Sequence, residues 1–346
     1  MGGVAKKPVR PAGSVLQSLP ACRTGHTRGF IILNEKDAPM YRNIALCALA
    51  IGLGACSSPQ APPAAAGSRP LLVAHRAGAA DAPENTLVAI RTALRNGADA
   101  MWLSVQLSRD GVPVLYRPAD LAANTDGSGP VADKTVEQLQ QLNAGWQFRA
   151  TDSQGAITYP YRDRPVPIPT LREALASLPP GMPVMLDMKA LPAGPQADAV
   201  ARVLDHAHAW DRATLYSTEA AYQQAFAAYP RARLFETRDA TRGRLAQVAL
   251  QQQCVDAPAR PVWAAFEYRR ALDVVEKFTL GEGRSPVRAT LWTPASVACF
   301  RSVAPVRILA IGVNTADDYR AAAALGVDAV MVDSPRAMRG VPGTGN

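Results

Sequence analysis

The chain has 346 residues, of which 48% are hydrophobic, so it can bury a sizeable core, and its composition argues against global disorder. Its formal net charge of +8 comes mostly from the first 55 residues, because 30 basic and 27 acidic residues remain after them. The later residues contain no run of Lys and Arg interleaved with aromatic residues, so nucleic acid is not expected as a partner.

The segment 40–56, MYRNIALCALAIGLGAC, is typical of an export signal. Arg42 precedes an apolar run that is shorter than the about 20 residues needed for a membrane-spanning helix. The ending Leu53-Gly54-Ala55-Cys56 resembles a bacterial lipobox, in which the cysteine is acylated and becomes the mature N-terminus. The alternative is a buried helix start with an incidental cysteine. The Pro- and Ala-rich residues 57–69 that follow are typical of a flexible tether and favour the lipobox.

These features divide the chain into four parts. We predict a non-native upstream extension over 1–39, with Met40 as the true initiator, and a lipoprotein signal peptide over 40–55. Residues 56–69 are the lipidated Cys56 and its tether, and residues 70–340 are the folded domain. Acylation would anchor the protein to a membrane without a transmembrane helix, facing the periplasm. Ser57, directly after the acylated cysteine, favours the outer membrane.

Export also changes how the remaining cysteines are interpreted. After Cys56 only Cys254 and Cys299 occur, and in an oxidising compartment such a pair is a disulfide candidate. The alternative is two buried thiols, and both stay open because sequence does not show whether the two Cα atoms come within bridging distance.

From Pro70 onward, short apolar runs alternate with helical patterns. The predicted strands are 71–74, 101–107, 114–116, 184–187, 214–217, 233–235, 307–311 and 329–332. The predicted helices are 86–96, 135–142, 171–178, 197–207, 220–229 and 317–325. Region 236–306 is harder to interpret: it has apolar pieces at 262–266 and 289–292 and a helical pattern near 270–278.

This alternation indicates a parallel sheet covered by helices. Eight such units form a (β/α)8 barrel, and the length of the domain suits one. The alternative is an open, doubly wound sheet. It is disfavoured because no glycine-rich dinucleotide-binding fingerprint follows the first strand.

A series of motifs occurs in a fixed order along the domain. They are 74–78 AHRAG, 82–87 APENTL, 97–100 GADA, 108–114 SRDGVPV, 125–131 TDGSGPV, 168–175 IPTLREAL, 185–189 MLDMK, 313–314 VN, 325–329 LGVDA and 332–335 VDSP. Their order over residues 71–336 resembles the glycerophosphodiester phosphodiesterase family. The resemblance implies a TIM barrel of the phospholipase-C-like phosphodiesterase type. It also implies hydrolysis of glycerophosphodiesters to glycerol 3-phosphate and an alcohol, in phospholipid-derived metabolism.

The resemblance assigns roles to residues at the strand ends. His75 matches a catalytic histidine and Arg76 a phosphate-binding arginine, and an imidazole and a guanidinium suit those tasks. Lys189 matches a second basic phosphate contact, and Asp187 stands where the family usually has a metal-binding glutamate. The alternative for these residues is an ordinary solvated strand end.

Glu84 and Asn85 are expected to organise the loop over the site and to orient Arg76. The alternative role for this pair is to cap the following helix, since Asn is a common N-cap and an acid suits a helix N-terminus. Both roles can hold together.

The family pattern breaks at its second and third strands. The family's two metal-binding carboxylates, Glu-x-Asp, are replaced by Trp102 and Ser104, and its second histidine, in His-Asp, by Arg117-Pro118. A hard cation such as Ca²⁺ or Mg²⁺, which the resemblance implies as cofactor, takes mainly oxygen ligands. Losing two of three carboxylates should remove most of that affinity, and Arg117 could stand in for the cation as an electrostatic clamp.

Two functions therefore stay open. In the first, the protein is a phosphodiester hydrolase with an altered or metal-independent site, in which His75 moves the proton and Arg76, Arg117 and Lys189 hold phosphate. Trp102 would either stack on a headgroup cation or pack in the barrel. In the second, the protein is a catalytically inactive phosphodiester-binding or scaffold lipoprotein.

Overall fold

The computed structural model describes residues 69–343. The predicted upstream extension, signal peptide and almost all of the tether lie outside the described residues. The last tether residue, Arg69, is anchored: its guanidinium donates to both carboxylate oxygens of Asp99, at 2.5 and 2.8 Å. Over the described range, no helix has the length and apolarity to cross a membrane.

The described part contains twelve strands and nine α-helices. The strands are β1 Leu71–His75, β2 Ala100–Leu107, β3 Pro113–Leu115, β4 Ala150–Thr151, β5 Ile157–Thr158, β6 Val184–Met188, β7 Ala213–Tyr216, β8 Val262–Glu267, β9 Arg269–Phe278, β10 Gly281–Thr290, β11 Val306–Ile311 and β12 Ala329–Val332. The helices are α1 Leu87–Arg95, α2 Val136–Gln140, α3 Leu171–Ser177, α4 Ala193–His206, α5 Ala221–Ala225, α6 Arg238–Gln251, α7 Pro294–Phe300, α8 Ala316–Ala324 and α9 Pro335–Met338.

Seven strands pair in parallel in the order β7-β6-β2-β1-β12-β11-β8. Two isolated parallel bridges, Leu215 with Leu234 and Phe235 with Trp263, join the two edges of this sheet through residues 234–235. Eight parallel segments thus close a (β/α)8 barrel, and the predicted fold class is confirmed. An open sheet is excluded because both of its edges are paired.

The core has two layers, set by the two-residue period of the strands. One set of alternate side chains fills the barrel interior: Val73, Ala100, Trp102, Met185, Tyr216, Phe235, Ala265, Leu309, Ala329 and Met331. The side chains between them point outward and are buried beneath the helices. The described residues 69–343 lie in one compact unit, bounded by residues 62 and 346, that contains this whole barrel. A protein of residues 62–346, called the 62–346 unit below, therefore has a complete core and is expected to fold alone.

One predicted helix is wrong. Residues 270–278 belong to β9, which pairs antiparallel with β10. The paired residues run from Phe278 opposite Gly281, next to the turn, to Arg269 opposite Thr290 at the base. The apolar residues of this segment fit a helical spacing as well as a strand, and the neighbouring strand decided between them. The apolar piece 289–292 is also divided, because Thr290 ends β10 while Trp292 is fully buried in the outer core.

Cys254, just after α6, and Cys299, in α7, form a disulfide, with Cα atoms 5.3 Å apart. Of the two alternatives, the disulfide is therefore the one observed. The bond closes a loop with a sequence separation of 45 residues, which contains β8 and the β9–β10 hairpin.

Removing this crosslink is expected to destabilise the barrel by about 2–4 kcal/mol, because it releases loop entropy in the unfolded chain. The test is chemical denaturation of Cys254→Ser/Cys299→Ser beside the wild type. Reductant should lower the wild-type midpoint to that of the double variant and leave the variant itself unchanged. Equal denaturation midpoints for the wild type and the double variant, both without reductant, would contradict the prediction.

Candidate active site

His75 ends β1 at the carboxyl end of the barrel, in register with Trp102 of β2. Its Nδ1 lies 2.6 Å from Oδ1 of Asp333, which directly follows β12, the strand on the other side of β1. Asn314 donates from Nδ2 to the second oxygen of Asp333 at 2.7 Å and accepts the Asp333 backbone N–H. With its proton on Nδ1 donated to Asp333, the imidazole has Nε2 left to exchange a proton with a ligand.

The contact with His75 also keeps the carboxylate charged. The hydrogen bond from His75 is the largest of the effects that lower the pKa of Asp333, and it outweighs the opposing effect of burial. The hydrogen bond from Asn314 and the charge of Arg76 lower this pKa further. Asp333 is therefore an ionised group able to stabilise an imidazolium on His75.

Arg76 follows His75 at a sharp turn, with a left-handed backbone at φ 49°. Its Nη1 donates to Oε2 of Glu84 at 2.6 Å, and Asn124 donates to the other oxygen of Glu84 at 3.1 Å. The Nε of Arg76 is buried and has no hydrogen-bond partner among residues 69–343. A guanidinium held on one side by a carboxylate keeps donors for a phosphate on the other.

Asn85 connects the β1–α1 loop to β2. Its Oδ1 accepts the backbone N–H of Ser104 at 3.0 Å, and its backbone is left-handed, at φ 57°. The N-cap of α1 is Thr86, whose side chain accepts the N–H of Ala89 at 3.1 Å, so the alternative in which Asn85 caps this helix is not observed. The side-chain amide of Asn85 instead accepts the Ser104 N–H, and this hydrogen bond holds the β1–α1 loop beside β2.

Besides Nε of Arg76, two more buried polar atoms near this strand end have no partner in the described part of the chain: Nδ2 of Asn85 and Oγ of Ser104. Buried polar groups are rarely left without a hydrogen bond, since that costs about 1–3 kcal/mol. Atoms of this kind beside His75 and Arg76 are what a site for a polar ligand or for water would contain.

Asp187 lies beside Ser104, its register partner across β2 and β6. Nζ of Lys189 lies 2.9 Å from Oδ1 of Asp187, so the two side chains form an ion pair. Oδ1 of Asp187 nevertheless receives no well-aligned hydrogen bond from the described residues. Burial raises the pKa of Asp187, against the opposing effects first of Lys189 and then of Trp102 and His75. Lys189 therefore neutralises a buried carboxylate while part of its side chain remains exposed.

Trp102 is 3% exposed and packs inside the barrel. Its ring lies 4.9 Å from that of Tyr216 and 5.9 Å from that of Phe235, measured between centroids. The ring therefore has no open face for a headgroup cation, and of the two roles predicted for Trp102 the structure supports packing.

Arg117 lies at the exposed rim of the same end of the barrel. The backbone N–H of the preceding Tyr116 donates to the carbonyl of Ser104 at 3.1 Å, which places Arg117 next to the end of β2. Within residues 69–343 its guanidinium makes no hydrogen bond or ion pair, so its donors remain available to an anion.

Sequence analysis assigned no role to several residues at this mouth. Asn314 and Asp333 each follow a predicted strand, and that position was a signal that could have identified them.

A second group is formed by Arg238, which contacts both carboxylate oxygens of Glu267, at 2.6 and 2.8 Å, and donates to the hydroxyl of Tyr216 at 3.2 Å. Arg238 lay in the unassigned region, so no signal pointed to it.

The donor set does not fit the divalent cation that the family implies. Among the described residues no three His, Cys, Asp or Glu side chains lie close enough together to hold a metal ion. Asp187 is already neutralised by Lys189, and its neighbours Trp102 and Ser104 supply no carboxylate. Ca²⁺ and Mg²⁺ need about six or more oxygen ligands, which these side chains do not provide.

Comparison with known proteins identifies the family and the fold of the chain. A sequence model of the glycerophosphoryl diester phosphodiesterase family matches residues 75–337. The uncharacterized Mycobacterium tuberculosis protein Rv2277c is 50% identical over 291 residues, covering 84% of this chain and 96% of that protein. The crystal structure of its glycerophosphoryl diester phosphodiesterase domain superposes with a TM-score of 0.72, covering 78% of this chain and 98% of that one.

More distant relatives share the fold or a shorter segment. An Oleispira antarctica phosphodiesterase in complex with its product sn-glycerol-3-phosphate is 21% identical, with a TM-score of 0.58 over 79% of this chain and 96% of that one. Human glycerophosphodiester phosphodiesterase 1 is 42% identical over 104 residues, which are 30% of this chain and 29% of that protein. On the family match and the 50% identity over nearly the whole mycobacterial protein, the chain belongs to the glycerophosphoryl diester phosphodiesterase family.

Proposed function

We propose that this protein is a phosphodiester hydrolase that cleaves glycerophosphodiesters to glycerol 3-phosphate and an alcohol. The observation that carries the proposal is the 2.6 Å contact between His75 and the ionised Asp333, next to Arg76 at the same barrel mouth. An imidazole oriented by a carboxylate, beside cations that can hold a phosphate, is the equipment for general acid–base catalysis at phosphorus.

In the proposed reaction Nε2 of His75 takes a proton from water while the water oxygen forms a bond to phosphorus. The phosphorus–oxygen bond to the alcohol breaks, and the leaving alkoxide takes a proton from solvent. Asp333 stabilises the imidazolium until it returns its proton to solvent. Since attack and departure take place on opposite sides of phosphorus, one imidazole assists one of them directly, and we expect a slower enzyme than one with two histidines.

The cations hold the phosphate. Arg76, fixed by Glu84 next to the Asn85 loop, is proposed to bind two phosphate oxygens, and Lys189 and Arg117 to approach from β6 and from the rim after β3. Lys189 then supplies positive charge beside Asp187, and no step is assigned to a metal ion.

The second candidate is a protein that binds phosphodiesters without turnover. Two observations favour it: Arg117 stands where the family has its second histidine, and Trp102 fills the barrel where the family has a carboxylate. The anion-binding groups would then remain while the proton transfers were lost.

The test is release of glycerol 3-phosphate from glycerophosphocholine by the 62–346 unit, with and without EDTA. We expect turnover that the chelator does not change. No turnover combined with saturable binding of glycerol 3-phosphate would establish the second candidate, and activity lost with EDTA would contradict the metal-free site. Trp102→Glu/Ser104→Asp/Arg117→His, checked for folding by circular dichroism, should gain a dependence on Ca²⁺ or Mg²⁺.

We also propose that Cys56 is acylated and tethers the barrel to the outer membrane, facing the periplasm. The Leu-Gly-Ala-Cys ending and the Pro- and Ala-rich residues after it support this. Mass spectrometry of the native protein should find a mature N-terminus at Cys56 with attached acyl chains, and an unmodified Cys56 would contradict the proposal.

A further inference from the structure

The β9–β10 hairpin leaves the barrel at the same end as His75. The hairpin is flanked by Tyr268 and Leu291, and the Tyr268 N–H donates to the carbonyl of Ile311 at 2.8 Å. At its base Arg269 donates to Asp318 of α8 at 2.7 Å, and Arg270 lies 3.4 Å from Glu267 at the end of β8. These contacts fix the hairpin to the rim of the mouth, and its ten-residue strands extend from there.

The register makes the hairpin partly amphipathic. The cross-strand pairs Leu272–Val287, Val274–Ser285 and Phe278–Gly281 fall on one face, which also carries Arg270 at the base and Glu276, because side chains alternate along a strand. The intervening pairs give the other face Val275 and most of the charged residues: Asp273, Lys277, Glu282, Arg284 and Arg288. A two-stranded sheet of this kind has no second layer of its own to cover its apolar face.

The exposed apolar side chains are concentrated here. The hairpin, residues 269–290, holds 22 of the 275 described residues but five of their ten exposed large hydrophobic side chains. Exposure rises toward the turn, from 47% at Val274 to 63% at Phe278 and 99% at Leu280. Clusters of exposed apolar side chains often mark a surface that binds another molecule.

We propose that the tip of this hairpin inserts into the surface of an anionic lipid bilayer. Apolar side chains that become more exposed toward the end of the tip suit end-on insertion, whereas a second protein would need a broad apolar face. Five basic and three acidic residues leave the hairpin with a net charge of +2, which attracts anionic headgroups. Phe278 and Leu280 would enter the boundary between headgroups and acyl chains, with Lys277 and Arg284 behind them at the headgroups.

Insertion in this way turns the mouth with His75 toward the bilayer. The inference does not depend on turnover, because a phosphodiester-binding protein with the same hairpin would dock equally. Insertion of the hairpin would place the site around His75 close to ligands that come from the lipid.

The test is sedimentation of the 62–346 unit with vesicles of phosphatidylglycerol and phosphatidylethanolamine, and with phosphatidylcholine vesicles. We expect binding to the anionic vesicles, weakened about 10- to 100-fold by Phe278→Ser/Leu280→Ser, which removes the apolar tip. The matched control is Leu250→Ser/Val303→Ser, which changes two exposed apolar residues outside the hairpin and should leave binding unchanged.

A second measurement reports where the protein touches the lipid. Both cysteines of the unit are in the disulfide, so Leu280→Cys provides a single thiol for an environment-sensitive fluorophore, with Val303→Cys as control. The Leu280 probe should shift to shorter wavelength on anionic vesicles and the Val303 probe should not. The proposal is overturned by wild-type protein that stays in the supernatant, by equal binding of the tip variant, or by a dimer in solution that the tip variant abolishes.

Discussion

His75→Asn is expected to lower kcat for glycerophosphodiester hydrolysis by about 10³-fold, because it removes the only imidazole at the mouth among the described residues. Binding of glycerol 3-phosphate should change little, since Arg76 and Lys189 remain. Steady-state kinetics with glycerophosphocholine and calorimetric titration with glycerol 3-phosphate measure the two effects separately.

The matched control is His206→Asn, which changes an exposed histidine of α4 whose Nδ1 contacts a carbonyl of its own helix. It should leave both measurements unchanged. Asp333 is a positioning residue, so Asp333→Asn should lower kcat by less, about 10- to 100-fold, and leave KM nearly unchanged. Full activity of His75→Asn would contradict the proposed role of His75 as the group that moves the proton.

Lys189→Met is expected to destabilise the fold by about 3–5 kcal/mol at about pH 7, because it leaves the carboxylate of Asp187 buried and unpaired. Burial already raises the pKa of Asp187, and the loss of the ammonium raises it further. A carboxyl whose pKa is higher in the folded state stabilises the fold below the unfolded pKa, and this stability is lost as pH rises through the folded value.

The deficit of Lys189→Met should therefore shrink as the pH is lowered below neutrality, because Asp187, whose pKa is raised by burial, takes up its proton in the folded variant and the buried charge is lost. Urea denaturation at a series of pH values measures it. The control is Asp187→Asn/Lys189→Met, which buries no charge at this pair and should recover most of the stability at neutral pH. A deficit that is the same at every pH would show that Lys189 acts through packing and not through its charge.

Local chemistry explains why many elements were predictable. Thr170 and Glu173 form a reciprocal capping box at the start of α3, a contact within four residues, and the predicted start of this helix at residue 171 was confirmed. The approximate ends of the strands were predictable from the apolar runs. The roles of His75, Asp187 and Lys189 at those ends came from the resemblance to the family, not from the runs themselves.

Contacts between distant residues were not predictable from such patterns. Asp333 meets His75 across 258 positions, and only closure of the barrel brings β12 beside β1. The strand at 270–278 was interpreted as a helix because its apolar spacing fits both periods. Pairing with β10 decided its conformation, and a single segment carries no information about a partner.

The amino-acid sequence by itself determined the family, the alternation of strands and helices, and the loss of the family's carboxylates and second histidine at Trp102, Ser104 and Arg117. The tertiary structure decided that Trp102 packs inward, that Lys189 neutralises Asp187, and that Asp333 orients His75. The physical reason is range: caps, turns and apolar periods act within a few residues, whereas burial and ion pairing depend on which strands become neighbours.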